Sequence, residues 1–228
     1  MATRTFVFAL VAAGMAAQVP RASEGTAGRL GQSTDRVVES GEFRLAVVSL
    51  LTTARVPGGV ATVHACAERP SRAPTVPAGM PISAALDLVT ATGGYYRWQD
   101  TDGLVEVLPA AGVPALLQTK IAHLELTDLD NAVLSVGELL AHPAVARNAA
   151  ALGLDRRSGE IGMSPLPRVR KPHTARPRAA KNLTMLEALD WIVRQDGSSV
   201  WSYDEYPGCG GRGEVRVGLA WRALPQIR

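Results

Sequence analysis

The chain has 228 residues, enough for one large or two small domains. Apolar residues make up 46%, sufficient for a real core, while an aromatic content of 5% argues against a large aromatic ligand surface. The net charge of +3 and pI near 9.1 are too mildly basic to imply nucleic acid.

The chain opens with Met1 to Arg4, carrying one positive charge. Phe6 to Ala13 is a short apolar run, and Gly14-Met15-Ala16 supplies small residues after it. This is the layout of a secretory signal peptide, too short to span a bilayer stably. Residues 1–22 are therefore assigned to the signal peptide and the start of the mature chain, with cleavage expected between Ala16 and Ser23. No cysteine lies in the first 65 residues, so a lipid-anchor site is not expected. No later stretch approaches the roughly 20 apolar residues of a membrane helix. The expected location is periplasmic or secreted, with no transmembrane segment.

The next elements form a first unit over residues 34–110. Phe43, Ala46, Val47, Leu50, Leu51 and Ala54 hold helical spacing over three turns. Val60 to Cys66 alternates as a strand, with Val63 and Ala65 opposite Thr62 and His64. Ile82, Ala85, Leu86 and Val89 lie at i, i+3, i+4 and i+7, one face of an amphipathic helix, with Pro81 tolerated at its start. Gly93-Gly94 is expected to stop it. "YYRWQD" and "LVEVLP" flank Thr101-Asp102-Gly103, whose Asp-Gly signals a tight hairpin.

The pattern then recurs over residues 116–222. "IAHLEL" reads as a strand. Leu129, Ala132, Val133, Val136, Leu139 and Leu140 make a helical face, with Thr127 as N-cap. Met185, Ala188, Leu189 and Ile192 repeat the spacing of the earlier helix, and Thr184 with Glu187 forms a capping box. "SVWSY" and "EVRVGLAW" flank the loop "DEYPGCGGRG". At an offset of 103, Ala85, Leu86 and Asp87 fall on Ala188, Leu189 and Asp190, Gly94 on Gly197 and Trp98 on Trp201. Phe43 to Leu129 is an offset of 86, so the second copy is longer between its helices. An Arg/Pro-rich insert occupies about residues 142–181. The expected class is α+β, as two tandem small units, each with two helices packed on a small mixed β-sheet.

Chemistry is sparse in this sequence. His64, His123, His142 and His173 are scattered without metal spacing. No catalytic residue, metal site or cofactor is assigned. "GCGGRG" lacks the Lys-Ser/Thr and the following helix of a phosphate cradle. Asp87 and Asp190 recur, and a solvated helix face accounts for them. Cys66 and Cys209 are the candidates for a disulfide; the alternative is one buried thiol in a strand and one in a loop. Arg168, Arg170, Lys171, Arg176 and Arg178 lie among prolines in a stretch that resists regular structure. They read as an irregular insert or as a basic patch docking an acidic partner.

The order of helix, strand, strand, "ALD" helix with its glycine, and terminal aromatic hairpin resembles the secretin and TonB short N-terminal domain. Ile82 to Leu108 fits best, followed by Met185 to Leu219, and two copies cover most of residues 36–221. The resemblance implies a non-enzymatic module of the periplasm or cell envelope, docking another envelope protein partly through sheet edges. It brings no catalytic residues, and a pore-forming barrel is not expected in these 228 residues. The alternative is a small exported hydrolase or hydrolase activator with a cleft between the units.

Overall fold

The computed structural model describes residues 28–35, 37–39, 41–66, 72–92, 95–128, 132–160, 177–196, 199–209 and 211–221. The expected signal peptide lies outside these residues, as do His173, Arg168, Arg170, Lys171 and Arg176.

The first half runs β1 (Gly41–Glu42), α1 (Phe43–Ala54), β2 (Gly58–Val63), β3 (Arg72–Ala73), α2 (Ile82–Ala91), β4 (Tyr96–Thr101) and β5 (Leu104–Pro109). The second runs β6 (Lys120–Leu126), α3 (Ala132–Ala141), α4 (Pro143–Ala151), β7 (Leu154–Glu160), β8 (Arg178–Thr184), α5 (Met185–Asp196), β9 (Ser199–Tyr206) and β10 (Gly213–Trp221). The class is α+β. Among the described residues no helix is long and apolar enough to cross a membrane.

Local signals act as expected at several element ends. Asp102 and Gly103 both have positive φ, 52° and 82°, and close the two-residue β4–β5 hairpin with Thr101 opposite Leu104. Thr184 caps α5: its hydroxyl accepts from the Glu187 N–H at 3.2 Å, while the Glu187 carboxylate accepts from the Thr184 N–H at 2.6 Å. That backbone bond is the largest of the effects holding the Glu187 carboxyl below its usual range.

The expected insert at about residues 142–181 begins with α4 and β7. Pro143 suits the first turn of α4, His142 Nδ1 accepts from the Ala144 N–H, and the alanines that follow favour helix. Thr127 does not cap α3 in the usual way. Its N–H and hydroxyl both donate to the Glu138 carboxylate, eleven residues on.

The main strands of the two halves do not form separate sheets. β1 pairs with β3, and β6 with β8, as two-stranded sheets. The remaining strands form one six-stranded sheet in the order β4-β5-β2-β9-β10-β7. β2 joins the halves by pairing in parallel with β9 from Gly58–Val200 to Val63–Glu205.

Side chains alternate across a strand, so the two faces carry two cores. Val60, Val105, Val107 and Val200 pack with Phe43, Val47, Leu51, Leu86 and Val89 of α1 and α2. Ala61, Leu104, Trp201, Tyr203, Val217 and Leu219 pack with Val136, Leu139, Met185, Leu189 and Ile192 of α3 and α5. The helices of the two halves thus cover opposite faces. This explains why Gly58 to Thr62 of β2 are all buried instead of alternating, because β2 lies inside a sheet covered on both sides; Val63, at the end of the strand, is exposed.

Candidate functional site

The junction of β2 with β9 gathers the buried carboxyl groups of the described residues, Glu106, Asp190 and Asp204. It begins with a glycine. Gly59 lies opposite Trp201, and a Cβ on it would come within 1.9 Å of the indole. Only glycine lets the ring lie across the strand. The indole N–H then donates to Asp190 Oδ1 at 2.7 Å. Asp190, on α5, is buried and hydrogen-bonded to the Glu106 carboxyl of β5, the strand beyond β2. Burial first, then the hydrogen bond to Glu106 and the Glu106 charge, push Asp190 up to about 8, so it holds a proton near neutrality. Glu106 also accepts from Gln99 Nε2 at 2.6 Å and Thr101 Oγ1 at 3.2 Å. Arg194 reaches back to the carbonyls of Thr101 and Asp102 at 2.6 and 2.8 Å.

Further along the same strand pair, Asp204 is buried and receives three groups. Arg44 of α1 lies 3.1 Å from its Oδ2. The Thr62 hydroxyl donates to Oδ1, and His64 Nε2 lies 3.6 Å from that oxygen. The His64 ring stacks on Tyr206 at 4.3 Å between centroids, and Arg216 covers the same tyrosine at 5.1 Å. Burial, then the Asp204 charge, raises the Tyr206 hydroxyl above its usual range.

Threonine, histidine and aspartate together invite a nucleophilic reading. The geometry does not support a relay. One ring nitrogen, Nε2, faces both Thr62 Oγ1 at 3.4 Å and Asp204 at 3.6 Å. A catalytic triad needs nucleophile and acid on different ring nitrogens. Here the threonine donates directly to the aspartate, so the group works as a buried clamp between β2, β9 and α1.

Cys66 and Cys209 close this end of the junction as a disulfide, with Cα atoms 5.5 Å apart. His123 is exposed and pairs with Glu125 at 2.8 Å, and His142 Nε2 lies 3.0 Å from the His123 carbonyl. Among the described residues no cluster of His, Cys, Asp and Glu is arranged to hold a metal. Arg178, the one described member of the basic group, is exposed at the start of β8 opposite Leu126. It lines a surface cavity with Glu125, Thr127 and Pro177, away from the junction.

The solvated-face account holds for Asp87, which is exposed, and is corrected for Asp190, which is buried. Asp87 Oδ1 accepts from the Trp98 indole N–H at 2.7 Å, the same bond that Asp190 makes with Trp201. Both pairs span eleven residues, a regularity visible in the sequence. Glu106 and Asp204 escaped the sequence reading. Glu106 had one signal, a lone acid inside the apolar strand "LVEVLP".

No protein-family model, no curated protein and no solved structure matches this chain.

Proposed function

We propose that the chain is an exported, soluble, non-enzymatic interaction module of the periplasm or cell envelope, built from two tandem units of the secretin/TonB short N-terminal type. The observation that carries this reading is the β2–β9 pairing, in which one half adds its sheet edge to the other. A fold that joins its own halves by edge addition is suited to taking up a partner strand in the same way. The repeated pairing pattern supports the two-unit reading: β4-β5-β2 with β1-β3, then β9-β10-β7 with β6-β8. The Cys66–Cys209 disulfide supports export, since such bonds persist in oxidising compartments. Arg168, Arg170, Lys171, Arg176 and Arg178 serve in this reading as a basic group that steers an acidic partner.

Three measurements test it together. Cell fractionation with N-terminal sequencing should recover an extracytoplasmic chain beginning between Ala16 and Ser23. Replacing the five basic residues with Ser should slow capture of an envelope partner and weaken its salt dependence. A cytoplasmic chain retaining Met1 would overturn the export claim, and a partner whose association ignores both charge and salt would remove the steering role. The hydrolase alternative draws on the Glu106–Asp190 carboxyl pair, because raised carboxyls cluster at active sites. Turnover on a hydrolase panel that is lost in Asp190→Asn would replace the docking reading with that one.

A further inference from the structure

Among the described residues the six-stranded sheet ends in β4 on one side and β7 on the other. Register shows what each edge corresponds to. Trp98 pairs with Val107, which pairs with Val60 of β2. Trp201 pairs with Leu219, which pairs with Glu160 of β7. β4 is therefore the counterpart of β9, and β7 the counterpart of β2. One residue before Val60 and Glu160 stand Gly59 and Gly159. The same strand of each half carries glycine at the same register position.

In β2 that glycine lies opposite a tryptophan of the neighbouring strand and leaves no room for a Cβ. In β7, Gly159 pairs with Gly218 on its inner side. On the opposite edge Trp98 is half-buried and its aspartate, Asp87, is exposed, whereas Trp201 and Asp190 are both buried. The chain thus makes this junction once internally and carries both parts of a second one at its two edges.

We propose that the chain associates head to tail with a second copy, the β7 edge of one copy pairing in parallel with the β4 edge of the next so that Gly159 lies opposite Trp98. This rests on the reading of sheet edges as docking surfaces and names the occupant as another copy of the chain. The direction and the face both agree. β2 and β9 are parallel, and the helices of the two halves cover opposite faces. A half-turn about an axis across the strands, with a three-strand step, therefore relates the halves. The same step applied again leads from β7 onto the β4 of a next copy, in parallel. Trp98, Val107, Val60, Ser202, Gly218 and Gly159 form one row across the sheet. A second Trp98 placed after Gly159 continues that row on the same face. The contact joins two different patches, so it extends into chains unless the rotation closes a ring.

Sedimentation velocity and light scattering over a concentration series of the purified full chain test this. The average mass should rise above that of the monomer, and amides of β4 and β7 should gain hydrogen-exchange protection as concentration rises. Trp98→Arg disables the β4 end and Gly159→Val the β7 end, so each variant alone should self-associate about tenfold more weakly or worse. An equimolar mixture should form heterodimers and stop at two, because each partner retains one working edge. A wild-type chain that is monomeric at every concentration overturns the proposal. So does a mixture of natively folded variants that fails to pair. If a variant does not fold, the exchange protection of wild-type β4 and β7 decides alone. A monomeric chain that still binds another envelope protein through β4 or β7 overturns self-assembly and leaves the docking reading standing. A monomer that binds none removes both.

Discussion

In both halves an indole N–H donates to an aspartate on the preceding helix at 2.7 Å, yet the two tryptophans live in different surroundings. Trp201 is wholly buried, with Gly59 of a neighbouring strand beneath its ring and the Glu106–Asp190 carboxyls beside it. Trp98 is half-buried on an outer strand, and its aspartate is exposed. The local motif is the same, so the difference comes from the strand that was added. Edge pairing has turned an open tryptophan–aspartate pair into a dry one and has moved a proton onto the aspartate.

The sharpest way to break this comparison is to delete each indole. Trp201→Ala should cost about 3–5 kcal/mol in chemical denaturation, since it empties a filled core site. Trp98→Ala should cost less, about 1–3 kcal/mol at concentrations that keep the chain dilute, because that ring is only partly buried. Equal costs would mean that the junction does not stabilise Trp201.

The helices beneath the pairs should behave alike. Leu86 and Leu189 are both fully buried, so changing either to Ala should cost about 2–5 kcal/mol. A loss below about 0.5 kcal/mol at Leu189 would contradict its buried position.

The proton on Asp190 offers a third test. Its folded value of about 8 lies above the ordinary 3.8, so between those values the native state holds a proton that the unfolded chain has released. This contribution is fully present below pH 3.8 and is lost as pH rises toward 8. Stability should fall across that window by at most about 1.4 kcal/mol per pH unit. Asp190→Asn should flatten the slope, and Glu106→Gln should narrow the window by removing the neighbouring charge. A slope unchanged in Asp190→Asn would show that the proton sits elsewhere.

The smallest effect compares the helix starts. Thr184→Ala removes the reciprocal cap of α5 and should cost about 1 kcal/mol. α2 is preceded by Pro81, which makes no side-chain cap, so Pro81→Ala should change stability by less than about 0.5 kcal/mol. Similar losses at both sites would mean that the Thr184–Glu187 pair contributes nothing beyond its backbone.

Much of this architecture was legible because its causes are local. Helical spacing at Ile82–Val89 and Met185–Ile192, the Asp102–Gly103 turn and the Thr184–Glu187 cap act through neighbours a few residues apart. The offset of 103 likewise carried both tryptophan–aspartate pairs, though not their bond. What the tertiary structure decided depends on residues far apart in the chain. β2 pairs with β9 across some 140 residues, and that pairing makes one sheet where two were expected. It buries Thr62, Glu106 and Asp204, residues whose polarity reads as solvated when only sequence neighbours are visible. Periodicity reports which face of an element is apolar. It does not report which strand will lie alongside, because backbone pairing uses N–H and C=O groups that every residue but proline carries in full. Gly59 bears the one local mark of that choice, a missing side chain where an indole had to lie.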